Sequence, residues 1–117
     1  QSEIIILRTG HRHRSRYEWA HHVSRGLAVG LTRERIDAVR AIPNAPEESA
    51  PEDRLLVAAV DALIDNGKLA EPLATALRDA LGIPAMLDLM ATVGMYTTLA
   101  FLIESFDIPL EPEIAQP

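Results

Sequence analysis

The sequence predicts an all-α domain of five or six helices, and three observations carry that expectation. Its 117 residues are 48% hydrophobic but only 4% aromatic, with alanine and leucine dominant, which suits packed helices better than a sheet. Apolar residues recur at helical spacing through most of the chain. Glycine, proline and Asn66-Gly67 stand between these periodic stretches as stop signals. The length fits one small domain over residues 1–117 with a moderate core, and no array repeat or domain-sized linker is present.

The elements follow in order. Glu3 to Thr9 is a short β-branched run that reads either as a strand or as the tail of a buried helix, with Gly10 expected to break it. From about His13 to Val29 the pattern is helical: Trp19, Val23, Gly26 and Leu27 form one stripe, and Ser15, Glu18, His22 and Arg25 another. Gly30 is a plausible stop. Thr32 suits the N-cap of a short helix to about Arg40, with Ile36 and Val39 inward. Ile42 to Asp53 reads as a surface loop. At its end Ser49-Ala-Pro-Glu52 has capping-box spacing and opens a helix to about Asp65. A further helix is expected over Ala70 to Leu81, closed by Gly82. Pro84 opens the longest one, which runs to about Ser105 and is ended by the Pro109/Pro112 tail.

Charge and composition remove several functions. A net charge of −6 argues against nucleic acid and anionic membranes as partners, because both demand a basic face. The cluster His11 to Arg16 opposes that sign and better fits a small anionic ligand. With no cysteine, disulfides, zinc thiolate sites and thiol redox catalysis are excluded within this chain. No secretory signal pattern is visible, and a cytoplasmic setting is expected. The run Leu89 to Ile103 is short for a membrane span and carries Thr92, Thr97 and Thr98, so it reads as a buried helix. Leu87 to Ile103 is too apolar for one small monomer, and burial in a homo-oligomer would resolve that. The opening residues look like the middle of a helix, as if a preceding segment were missing.

The chemistry concentrates in residues 10–23, which hold all four histidines and the only tryptophan. Glu18 and His22 are four apart, so on a helix their side chains share a face, with Ser15 three before Glu18. A carboxylate beside an imidazole raises the imidazole pKa and orients the ring, which suits proton transfer near neutral pH. Arg14, Arg16 and Arg25 could hold a carboxylate or enolate oxygen. The same spacing is also that of an ordinary solvated helix pair. His11 and His13 with His21, His22 and Glu18 suggest a metal site as an alternative. Adjacent His21 and His22 point about 100° apart on a helix, however, so no metal and no cofactor is expected. Tyr17 and Trp19 read as core or interface anchors, and Met86, Met90 and Met95 as core filler. Tyr96 could line a pocket. Phosphate loops, nucleophile elbows and dinucleotide fingerprints are absent.

Several segments together resemble the carboxymuconolactone decarboxylase family within the AhpD-like superfamily. They are Glu3-Ile-Ile-Ile-Leu-Arg-Thr9, Tyr17-Glu-Trp-Ala-His-His22 and Gly30-Leu-Thr-Arg-Glu-Arg-Ile36, followed in register by 65–68, 93–96 and 106–111. The resemblance implies an AhpD-like helical domain, here without the family's N-terminal helices, assembled as a trimer or hexamer. The peroxidase branch of that superfamily uses a glutamate followed by Cys-x-x-Cys-x-x-x-His. Its glutamate falls on Glu3, its cysteines on Ser15 and Glu18, and its histidine on His22. Without sulfur that thiol cycle is chemically closed to this chain, even if the family label carries it. The decarboxylase branch has Glu-x-x-x-His, which Glu18 and His22 fit.

The resemblance therefore implies a cofactor-free acid–base lyase acting on a small carboxylated lactone or organic acid. His22 would be the proton shuttle, and Glu18 and Glu3 would tune or relay. Ser15, Arg14, Arg16, Arg25 and Tyr96 are the candidate substrate contacts. A ligand- or metal-binding module without turnover, and an inactive scaffold, are the competing expectations.

Overall fold

The computed structural model describes residues 2–41 and 50–109. They form six helices: α1 (Ser2–Arg12), α2 (Arg16–Ala28), α3 (Arg33–Ala41), α4 (Pro51–Asn66), α5 (Leu73–Leu81) and α6 (Ile83–Ser105). Among the described residues there is no strand. The all-α expectation holds, and the ambiguous first segment is helix.

α1 is the centre of the bundle and touches α2, α3, α4 and α6. Every residue from Ile4 to Gly10 is buried, which explains the unbroken apolar run Ile4 to Leu7: a helix packed on several sides needs no solvated face there. Gly10 does not break α1 but lies inside it, contrary to expectation. A Cβ there would stand 3.2 Å from the Glu18 Cβ, so glycine is what lets α2 lie close against α1.

The polar groups inside α1 are satisfied. Arg8 is 5% exposed and grips Asp61 of α4 through two bonds of 2.9 Å, while its third nitrogen donates to the Val39 carbonyl at 2.9 Å. One guanidinium thus ties α1 to α3 and α4. Thr9 returns its hydroxyl to the Ile5 carbonyl.

Caps set the other boundaries. α2 begins at Arg16 rather than His13, because Ser15 takes the N-cap position and accepts the Glu18 N–H at 3.2 Å. Thr32 accepts the Arg35 N–H, which starts α3, and Ile36 and Val39 are fully buried. α4 starts at Pro51 with Ala50, not Ser49, at its N-cap. Ser49, the rest of the expected loop to that point, and Pro112 fall outside the described residues. Gly67 ends α4 in the left-handed conformation. α5 begins at Leu73 rather than Ala70. Pro72 precedes it with no N–H to give, and Glu71 accepts the Thr75 N–H.

The core gathers Ile4, Leu7, Val23, Ile36, Val57 and Leu77 with their neighbours, each buried side chain of this size contributing roughly 1.5–3 kcal/mol. Trp19 packs on its edge, with the Arg40 guanidinium 4.7 Å above its ring. α6 buries one side (Leu89, Val93, Ala100 and Ile103) and leaves the opposite one exposed in the single chain, and it corrects one expectation. Of the three methionines only Met86 packs on the core, while Met90 and Met95 are exposed.

Candidate active site

α1 and α2 are joined by three residues, and the geometry of that corner creates the site. Arg14 takes a left-handed conformation (φ 58°), turning the chain so that the Ser15 N–H donates to the Gly10 carbonyl at 2.9 Å. Ser15 and Glu18 have the spacing of a capping box, in which the glutamate would reach back to the N-cap amide. Only half of that box can form. The Ser15 amide is already engaged by Gly10, so the Glu18 carboxyl is released from capping.

The released carboxyl is buried. Glu18 is 3% exposed, and neither side-chain oxygen has a hydrogen-bond partner among the described residues. Burial is the main cause and the Glu104 charge a smaller one in pushing its pKa up to about 7. An acid of that kind is half protonated at neutral pH and can give or take a proton there.

His22 lies one turn further along α2 and is 6% exposed. Its Nδ1 is 2.7 Å from the Glu3 carboxylate on α1, reached across 19 residues of sequence because the two helices pack side by side. The expected partner, Glu18, makes no hydrogen bond to the ring. Burial pulls the His22 pKa down, and the hydrogen bond and charge of Glu3 offset this only in part. The expected rise is therefore reversed. A carboxylate can only accept, so Nδ1 carries the proton and Nε2 of the neutral ring keeps its lone pair.

Glu18 and His22 line one cavity of about 600 Å³ with Arg25, Tyr17, Tyr96 and Leu99. Tyr96 stands edge-on to the His22 ring, centroids 5.2 Å apart and planes at 90°. Tyr17, expected as an anchor, belongs to this wall and lies against His21 with ring centroids 4.5 Å apart. Its position immediately before Glu18 in the first turn of α2 was not a readable signal. Ser15 lies beneath the site as a buried cap. Arg14 and Arg16 line a neighbouring hollow of about 300 Å³ with Glu104 and Asp107, which shares Tyr17, Ile103 and Ile108 with the main cavity.

His21 lines the same cavity, whereas His11 and His13 lie elsewhere. His11 packs on the Trp19 edge, and His13 bonds the Thr97 hydroxyl through Nε2 at 2.8 Å. Burial lowers the pKa of both. Among the described residues no three His, Asp or Glu side chains are grouped to hold a metal ion.

No curated protein and no solved structure matches this chain. A family model does: residues 1–61, which carry Glu3, Ser15, Glu18 and His22, match the carboxymuconolactone decarboxylase family. That match stops short of the resemblances at 65–68, 93–96 and 106–111. It nevertheless takes in more than half of the 117 residues, and the chain belongs to the carboxymuconolactone decarboxylase family.

Proposed function

We propose that this chain is a cofactor-free acid–base enzyme that decarboxylates, or otherwise moves a proton on, a small carboxylated lactone or organic acid. The observation that carries the reading is the Glu18 carboxyl, buried and unpaired in the wall of a cavity, one helical turn from an imidazole anchored by Glu3. Leaving a carboxyl in that condition costs stability and has no structural return.

The chemistry follows from the two groups. When a carboxylate leaves as carbon dioxide, its bonding electron pair must be held as an enolate and then receive a proton on carbon. Protonated Glu18 can deliver that proton. Nε2 of neutral His22 can take one from substrate or solvent, with Glu3 steadying the imidazolium that results. Arg25 supplies positive charge for a substrate carboxylate, and the Tyr17 and Tyr96 hydroxyls are donors for the enolate oxygen. A thiol peroxidase cycle is ruled out by the absence of cysteine.

A melting-temperature screen of small lactones and dicarboxylic acids against wild type and His22→Ala tests the proposal. A substrate-class ligand should stabilise only the wild type. With that compound, His22→Ala should lower kcat by about 100-fold or more, the ordinary contribution of a proton-transfer group. Equal stabilisation of both proteins, or unchanged turnover, would contradict it.

A further inference from the structure

Two hollows meet at one wall. The cavity of about 600 Å³ that holds Glu18 and His22 and the hollow of about 300 Å³ beside it are both lined by Tyr17, Ile103 and Ile108, and among the described residues by no other in common. These three side chains therefore separate the two spaces. The wall is thin. Glu104, which lines only the far hollow, adds its charge to the burial that pushes the Glu18 pKa upward.

Two helix ends fix that wall. Tyr17 stands in the first turn of α2, whose start is set by the Ser15 cap and the left-handed Arg14. One turn further on, His21 lies against the Tyr17 ring with the planes 35° apart, which holds the ring on one face. Ile103 and Ile108 come from the end of α6. Phe106 is its C-cap, Asp107 is left-handed (φ 51°), and the Ile108 N–H donates to the Ile103 carbonyl at 3.1 Å. That is a Schellman turn, the motif that brings the side chains of such a pair together. The wall thus stands on backbone that capping already fixes.

The two sides differ in what they offer an acid. On the near side Arg25 lines the cavity with Glu18 and His22. On the far side Arg14 and Arg16 line the hollow with Glu104 and Asp107, and among the described residues no ion pair holds either guanidinium. Both remain able to take a carboxylate. We propose that Tyr17 is the specificity-determining residue of the site: its ring, backed by Ile103 and Ile108, ends the substrate cavity, admits short acids that lie wholly on the Arg25 side, and keeps Arg14 and Arg16 out of reach. This role for Tyr17 rests on the cavity being the substrate site proposed above, but on no step of proton transfer.

Isothermal titration calorimetry with the straight-chain dicarboxylic acids from malonate to suberate, at a pH where both carboxyls are ionised, tests this. Wild type should gain no affinity with length. Tyr17→Ala should bind the longest acids about tenfold or more tightly than the shortest, the worth of one charge-assisted hydrogen bond. Ile108→Ala opens the wall from its other side and should shift the profile in the same direction, which covers the case of Tyr17→Ala failing to fold. Tyr17→Phe keeps the ring and should keep the wild-type profile. Adding Arg14→Asn and Arg16→Gln to Tyr17→Ala should abolish the gain, and asparagine tolerates the left-handed backbone that Arg14 adopts.

A wild type that already prefers the longest acids has no such wall. A flat profile in the folded wall variants, whether all the acids bind alike or none binds, overturns the role of Tyr17, and so does a gain that survives loss of both arginines. A Tyr17→Phe profile that shifts would give the selectivity to the hydroxyl instead of the ring, and contradict it as well. None of these titrations needs turnover. If they come out as stated while His22→Ala leaves turnover unchanged, the acid–base reading fails alone. A flat profile beside turnover that depends on His22 removes only the wall.

Discussion

Glu18→Gln should gain stability on wild type by up to about 3 kcal/mol between pH 4.5 and pH 8, while losing acid–base activity. The size follows from a carboxyl whose pKa rises from 4.5 to about 7 on folding, at ~1.4 kcal/mol per pH unit. The sign follows from linkage. Between those two values the folded wild type holds a proton that the unfolded chain has released, so its stability falls as pH rises and levels off above about 7. Glutamine does not titrate, and the gap between the two proteins should open across that window. His22, with its pKa lowered, acts in the opposite sense: its contribution is complete above 6.5 and is lost as pH falls. It is common to both proteins, so it cancels in the difference. Urea unfolding at a series of pH values gives this comparison directly, and a gap that stays constant with pH would show that Glu18 does not titrate there.

Asp61→Ala should be the most damaging single substitution outside the apolar core, at about 3–5 kcal/mol. That corresponds to a fall in melting temperature of 10 °C or more for a domain of this size, at ~4 °C per kcal/mol. Removing Asp61 strands the Arg8 guanidinium, which is almost wholly inside the protein, with only backbone carbonyls as acceptors. Asp65→Ala makes the contrast. Asp65 also binds Arg12, and that bond holds its carboxyl below the usual range, but Asp65 is exposed, so water and salt screen the pair and its loss should cost far less. Thermal melts of the two variants side by side would decide the matter. Similar losses would mean that Arg8 is not the tie between α1, α3 and α4.

Most of the fold could be read from residues that act locally. Thr32, Gly67 and Gly82 sit at real helix boundaries, because capping and left-handed turns depend on one residue and its near neighbours. α1 was not readable in that way, since Ile4 to Leu7 are apolar in succession and the residues from Ile4 to Gly10 are all buried, so no solvated face marks the helix. Gly10 looked like a breaker, although its role is to admit α2. The site shows the same division. The Glu18 and His22 positions were visible from their spacing and from the family pattern. The ring's true partner, Glu3, was beyond spacing arguments because it lies on another helix. The direction of the His22 shift was misread because a neighbouring acid can be counted from sequence, whereas burial cannot. The capping-box spacing of Ser15 and Glu18 was available. What it could not reveal is that Gly10 occupies the Ser15 amide and so frees the glutamate.

A carbon-13 NMR titration of the Glu18 carboxyl, with the nitrogen-15 shifts of the His22 ring followed in the same samples, tests the central claim most directly. The account predicts a Glu18 midpoint near pH 7 and a neutral ring protonated on Nδ1 at that pH. A Glu18 midpoint near the ordinary 4.5, or a His22 proton residing on Nε2, would contradict it.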